Sequence, residues 1–190
     1  ALEYESMRSE TPESLFHALE QSGNWCLRSG WDRNADYLHF KCGSLGGGHG
    51  HFDKLHVDLS IAGEDVLIDS GRYTYVDGSL RRQLKSSCAH NVPVVDWQEY
   101  TQCTGSWDVK GRTAPAGQDW SQKGPYTFLQ GTHLGYLPAG VLVNRRIISI
   151  GTRIHVIADE FYGTGTHVLS QVFHLNPAGS VEMREDVFLY

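Results

Sequence analysis

The 190-residue sequence has no run of 18 apolar residues, so no helical membrane span is expected. Cysteine is scarce: Cys26, Cys42, Cys88 and Cys103 include no CxxC pair, which excludes a zinc ribbon or a thioredoxin-type motif. Basic residues are in the minority, with 16 Lys and Arg against 22 Asp and Glu and a net charge of −6. A dedicated nucleic-acid binder carries a basic footprint, so no nucleic-acid partner is expected. A local cationic groove stays compatible with this balance, because a cleft can differ in sign from the whole surface. Helical periodicity is almost absent, and no internal repeat is visible. No Gly-Lys-Ser/Thr follows the glycine run at 46–48, which excludes a phosphate loop. The strand pattern after that run also excludes the strand–loop–helix context of a Rossmann turn.

What is present favours short strands and tight turns: 21 glycines, 11% aromatic residues, and apolar residues at 40%. The length suits one domain with its own core. The cysteines are then expected as small buried hydrophobes rather than two disulfides. Leu55, Val57, Leu59 and Ile61 share one face of a period-2 segment, with His56, Asp58 and Ser60 on the other. Ala62-Gly63-Glu64-Asp65 reads as a turn to a partner strand at 66–68. Further strands are expected at 37–42, 92–97, 126–130, 141–150, 153–158, 168–175 and 181–190, with a tight turn at Gly151-Thr152. Residues 104–125 read as a long irregular stretch with at most one short strand. Thr11-Pro12-Glu13 either starts a short helix running to about Glu20 or leads into a sheet domain. The expected fold is all-β, an antiparallel β-sandwich over 23–190, with 1–22 as a lead-in or linker. The chain begins without methionine and stops within Val187-Phe188-Leu189-Tyr190, which raises the expectation of a piece of a longer protein.

Chemistry-bearing residues concentrate in three places. The first is Gly46-Gly47-Gly48-His49-Gly50-His51-Phe52-Asp53. In an extended chain His49, His51 and Asp53 project to one side. Two imidazoles and a carboxylate there suit a divalent metal or proton transfer. A bare HxH is equally compatible with two loop histidines in ordinary hydrogen bonds. The second place is Leu67 to Tyr75, where Asp69 closes an apolar strand and is costly unless paired. With Ser70-Gly71 it also reads as a turn starter. Arg72, Tyr73 and Tyr75 add a cation and two phenols, and a phenol can carry a proton. The third is Ser86 to Asn91, with His90 just before an apolar strand. Upstream, Arg81, Arg82 and Lys85 form a basic patch, either a solvated face or a site for an anionic substrate.

Together, Gly-His-Gly-His-Phe-Asp, Asp69-Ser70-Gly71-Arg72-Tyr73-Thr74-Tyr75 and Ala89-His90-Asn91 resemble the heparinase II/III-like polysaccharide lyases. Leu27 to Asp32 with Ala35 to Leu38 resembles that family's first strands, and Arg145 to Glu160 and Val172 to Leu175 its later ones. The resemblance covers about residues 20–180 and implies a β-sandwich that normally follows an α/α-toroid of helices. It implies β-elimination on a uronic-acid polysaccharide such as heparin, heparan sulfate or alginate. That reaction needs a neutralised uronate carboxylate, a base for the C5 proton and an acid for the leaving O4. Carried over by motif position, His49 is the base or proton carrier, and His51, Asp69 and His90 bind zinc. Tyr75 and Arg81 complete the catalytic candidates, one as a proton-moving phenol and one as a cation for the anionic substrate. The resemblance places the carboxylate-neutralising Asn or His, and a further Tyr, on the helical domain, so a missing N-terminal helical domain is an expected partner and this piece alone is expected to be inactive. It also favours a periplasmic or secreted location.

The turn placement conflicts with this triad. A tight turn at 62–65 sets Asp69 opposite Asp58, about seven residues or roughly 23 Å along the strand from His51. The triad then requires a bent or bulged strand, or a different pairing. A cupin-like metalloenzyme is a rival, since Gly43 and His49-x-His51 match the start of its motif, but Leu55 and His56 stand where its Glu belongs. A non-catalytic carbohydrate-binding module is another, with Trp97, Trp107 and Trp120 as stacking candidates.

Overall fold

The computed structural model describes residues 10–45, 49–111, 113–185 and 187–189. Alternation of apolar and polar residues in the first third builds one antiparallel sheet. Its strands are β1 (Phe16–Leu19), β2 (Asn24–Arg28), β3 (Tyr37–Lys41), β4 (His56–Ile61) and β5 (Glu64–Leu67), in spatial order β1-β2-β3-β4-β5. Trp25, Leu27, Leu38, Phe40 and Val57 point inward and are buried, while Asn24, His39, Lys41 and Asp58 lie on the outer face. The chain then forms helix α1 (Ser79–Lys85), a single 3₁₀ turn at Ser87–Ala89, strand β6 (Pro93–Val95), and the short pair β7 (Gln102–Cys103) and β8 (Val109–Lys110).

A second antiparallel sheet follows, with β9 (Pro115–Lys123), β10 (Tyr126–His133), β11 (Val141–Ile150) and β12 (Ile154–Gly163) in order β12-β11-β10-β9. Strand β13 (Leu169–Gln171) pairs back with β6, and β14 (Glu182–Arg184) pairs with β15 (Val187–Leu189). Leu129, Val143 and Ile147 from the second sheet join Trp25, Phe40, Leu55 and Val57 in one core. The expected antiparallel β-sandwich is what the chain forms. All four cysteines are free, and only Cys42 is fully buried.

Two sequence expectations need correction, and one open alternative is decided for the sheet. No helix forms at 11–20; residues 16–19 are a strand, with Phe16 opposite Leu27 and its ring 5.1 Å from that of Trp120. Pairing to β2 and this aromatic contact outweigh the weak helix-start signal of Thr-Pro-Glu. The supposedly irregular stretch 104–125 contains the nine-residue strand β9. It lies at the sheet edge, so most of its side chains face solvent and leave no apolar alternation to read. Val168 to Leu175 is shorter than expected as a strand, continuing only as a bridge between Leu67 and Leu175.

The sheets meet closely at Gly131 of β10. A Cβ there would stand 2.8 Å from Cys42 Cβ and Sγ and from a Leu55 methyl. Gly131→Ala is therefore expected to destabilise the chain by about 1–3 kcal/mol through overpacking. Urea denaturation checks this, and a change within about 0.5 kcal/mol, typical of surface sites, would show that the sheets can part there.

Candidate metal centre and groove

The segment before β4 is not extended. Phe52 N–H donates to Lys85 O at 2.9 Å, and Leu55 N–H donates to Lys41 O at 2.7 Å. Between them His56 N–H closes a turn on Asp53 O at 3.2 Å, and Leu55 adopts a left-handed φ of 68°. Leu55 is fully buried, so core packing holds this unfavourable backbone. The reversal folds His51 back over the start of the sheet.

Asp69 reaches the same place from the other side. A bulge lies between Leu59 and Ser60, and β5 ends at Leu67, opposite Leu59. Ile68 N–H then leaves the sheet to donate to His174 O at 2.9 Å. The bulge and the Leu55 reversal together remove the separation that a straight hairpin would impose on His51 and Asp69. His90 enters from the 3₁₀ turn, its N–H donating to Ser87 O at 3.1 Å.

One donor atom each from His51, Asp69 and His90 lies within 4.8 Å of the others. His90 is fully buried, and its Nδ1–H donates to Asp69 Oδ2 at 2.7 Å. Its unshared pair is then on Nε2, which is buried and has no hydrogen-bond partner among the described residues. A buried nitrogen lone pair without a donor is a group that a metal satisfies. Burial, the nearby His90 and the Arg81 guanidinium push the His51 pKa down to about 4, so its imidazole is neutral at physiological pH. Burial works to raise the Asp69 pKa, but the His90 hydrogen bond and charge, with the Gly71 N–H, outweigh it and hold the carboxyl at about 2. Two imidazoles and a carboxylate are a donor set that fits a divalent transition metal.

A second layer braces these groups. Asn91 N–H donates to His56 Nδ1 at 3.0 Å, so the His56 proton sits on Nε2. That Nε2 donates to Asp58 Oδ1 at 2.8 Å and lies 3.7 Å from Asp69 Oδ2. His39 Nδ1 donates to the other Asp58 oxygen at 3.1 Å. Burial opposes ionisation of Asp58, yet the hydrogen bonds from His39 and His56 hold its carboxyl well below the usual carboxylate range. Asn91 ties the surroundings together: its side chain donates to Val57 O at 2.8 Å and Ile68 O at 3.1 Å and accepts from His174 N–H at 2.6 Å. His174 uses its ring to bond Cys88 O at 3.0 Å. It positions the His90 turn and is not among the clustered donors.

An open groove of about 310 Å³ runs over the outer face of the first sheet, lined in part by His39, Lys41, His49, His51, Asp53 and Asp69. His49, His51 and Asp53 thus share one groove, although the chain bearing them is bent. Asp53 pairs with Lys41 Nζ at 2.6 Å. His49 is exposed, with ring centroids of Tyr75 and Trp107 each 5.2 Å away. The three cations at 81–85 do not form one surface patch. Arg81 and Lys85 are on the buried face of α1, while Arg82 is exposed and pairs with Asp77 at 2.9 Å. Arg81 is only 1% exposed and donates from Nη1 to His51 Nε2 at 2.8 Å, so it acts through His51 and presents no face to an approaching polymer.

The sequence model for "Heparinase II/III-like, C-terminal" matches residues 11–188. The chain belongs to that family. The heparin-sulfate lyase of Pedobacter heparinus is 28% identical over 95 residues, 48% of this chain and 14% of that protein. The solved heparan sulfate lyase from Pedobacter heparinus superposes with a TM-score of 0.75 at 22% identity, covering 91% of this chain and 26% of that one. A solved heparinase III gene product gives 0.79 at 19% identity, covering 100% of this chain and 28% of the other. This heparinase II/III-like domain therefore spans about a quarter of the length of those solved chains. The fold is shared throughout.

Sequence reasoning missed His39, His56 and Asp58 in this heparinase II/III-like domain. His56 and Asp58 were visible as the polar face of a strand, but their link to His39 depends on the β3–β4 register, which sets His39 opposite Asp58.

Proposed function

We propose that this chain is the β-sandwich half of a polysaccharide lyase that cleaves a heparan-sulfate-like uronic-acid glycan by β-elimination, with zinc held by His51, Asp69 and His90. The observation that carries this is the convergence of those three donors beside a groove that His49 also lines. The names of the relatives favour a heparan-type uronan over an alginate-type one. Zinc, when bound, supplies a fixed positive charge and structural order next to the groove.

The chain's own groups cover part of the chemistry. His49 stands exposed at the groove, able to take the C5 proton or carry it away. Tyr75, in ring contact with it, offers a phenol that can donate toward the leaving O4. Arg81 donates to the His51 Nε2 lone pair as a positioning residue rather than a substrate contact, and His51 can hold zinc only by giving up that bond. Neutralising the uronate carboxylate is assigned to the helical part of the full-length enzyme, since the described residues contain only one α-helix, of seven residues.

Metal analysis of the purified chain tests the first half, with near-stoichiometric zinc expected. In the full-length protein, His49→Ala is expected to keep the zinc and the glycan binding while losing turnover by about 100-fold or more, the usual scale for a general base. The isolated chain is expected to release little unsaturated uronate, read by its ultraviolet absorbance. Absence of zinc sinks the metal assignment, and robust release by the isolated chain sinks the half-site assignment.

A further inference from the structure

The segment after Asp69 makes a strained turn, of which the metal centre uses only the Gly71 N–H. Gly71 N–H donates to Asp69 Oδ1 at 2.6 Å, and Thr74 N–H closes back on Arg72 O at 2.6 Å. Tyr73 between them has a left-handed φ of 58°, an unusual and costly backbone for an aromatic residue. Strain of this kind is kept at ligand clamps when it places side chains usefully. Here it holds the Arg72 guanidinium carbon over the Tyr75 ring, 3.7 Å from its centroid.

Tyr75 in turn stacks on Trp107, with centroids 5.7 Å apart and planes 27° from parallel. Trp107 is 39% exposed and Tyr75 is 47% exposed, so both rings keep free surface. The tryptophan is held rigidly through its neighbour. Ser106 is fully buried; its N–H and hydroxyl donate to Asp77, and its carbonyl accepts from Lys85 Nζ at 3.0 Å. The result is a fixed aromatic platform with a cation on one side, in direct ring contact with His49.

Arg72 is exposed, and no carboxylate pairs with it among the described residues. A guanidinium over a ring has N–H donors to spare, and two of them match a trigonal or tetrahedral oxyanion with parallel hydrogen bonds. Trp and Tyr faces suit the C–H face of a pyranose. We propose that Arg72 and Trp107, ordered by Tyr75, form a subsite for a sulfated hexosamine next to the uronate at His49. Trp107 stacks the sugar ring and Arg72 binds its sulfo group. This rests on the lyase reading of the groove and adds to it the part of the substrate that this half selects.

The test is calorimetric titration of the purified chain with a size-defined N-sulfated heparan oligosaccharide and with its N-acetylated, unsulfated counterpart. The parent chain is expected to bind the sulfated form about tenfold more tightly, the scale of one charge-assisted hydrogen-bonded pair. Arg72→Gln is expected to abolish that preference by weakening only the sulfated form, and Arg72→Lys to keep part of it. Trp107→Ala is expected to weaken both forms about tenfold, with Trp107→Phe restoring most of the loss. Both oligosaccharides carry uronate carboxylates, so an equal fall for the two with Arg72→Gln means that Arg72 reads the carboxylate and overturns the proposal. Unchanged binding in the variants, or no binding by the parent chain, overturns it too. Zinc content is measured on each sample. A chain without zinc that still shows the Arg72-dependent sulfate preference refutes the metal reading and leaves the subsite standing.

Discussion

Arg145→Met is expected to lower stability by about 3–5 kcal/mol, a large share of the roughly 5–15 kcal/mol of a typical domain. Arg145 donates from Nε and Nη2 to both oxygens of Asp159, each at 2.7 Å, and from Nη1 to Leu55 O at 2.8 Å and Asn91 O at 2.6 Å. The side chains of the pair are 0% and 1% exposed. Methionine has a similar shape but leaves a buried carboxylate and two buried carbonyls without these donors. The large cost comes from those orphaned groups rather than from the lost attraction, because burial has already removed the compensating water. Adding Asp159→Leu removes the stranded charge and is expected to recover only part of the loss, since the Leu55 and Asn91 carbonyls stay unpaired. Urea denaturation of the parent, single and double variants measures this. A single-variant loss under about 1 kcal/mol, the scale of an exposed ion pair, would show that water reaches Asp159.

The second large effect concerns the metal. Asp69→Asn and His90→Ala are each expected to cut zinc affinity by more than about 100-fold, beyond the 10- to 100-fold typical of losing a supporting residue. His56→Ala, which removes such a support, is expected to fall inside that lower range. Competition with a chromogenic chelator reads all three. The ordering matters more than the values: equal losses for His56 and the triad would mean that the metal sits between Asp58 and Asp69 instead. Arg145 and the triad are linked, because the two carbonyls that Arg145 holds belong to the Leu55 reversal and to the residue after His90. Arg145→Met is therefore expected to weaken zinc binding in whatever fraction stays folded.

The same residues show what a sequence can and cannot reveal. Val141 to Ile150 reads directly as a strand because its inward positions, such as Val143 and Ile147, are buried against the core. His51, Asp69 and His90 were identifiable from their local motifs, while the geometry inferred from the turn at 62–65 argued against them. That turn is tighter than expected: only Ala62-Gly63 turn, and Glu64 and Asp65 already belong to β5, with Ile61 opposite Glu64. What stayed hidden was the left-handed Leu55, a leucine with no local signal for reversal, held there only by tertiary packing. Arg81 and Lys85 were hidden in the same way. Two cations four residues apart look like a solvated helix face until the carbonyl of Ser106 and the ring of His51 arrive to receive them. Strand β9 was lost for the opposite reason, since an edge strand facing solvent has almost no apolar pattern to detect.

Asn91 carries a consequence for the order of events during synthesis. All three donors lie between residues 51 and 90, so a nascent chain exposes the whole ligand set early. The braces arrive later: Arg145 secures the Asn91 and Leu55 carbonyls, and His174 supplies the N–H that the Asn91 side chain accepts and the ring that holds the Cys88 carbonyl. Until β11 and the segment through His174 have been made, His51, Asp69 and His90 lack these braces. For the proposed zinc site, a competent centre is therefore expected only once the segment through His174 has been made, and tight zinc binding by a chain ending before β11 would disprove this.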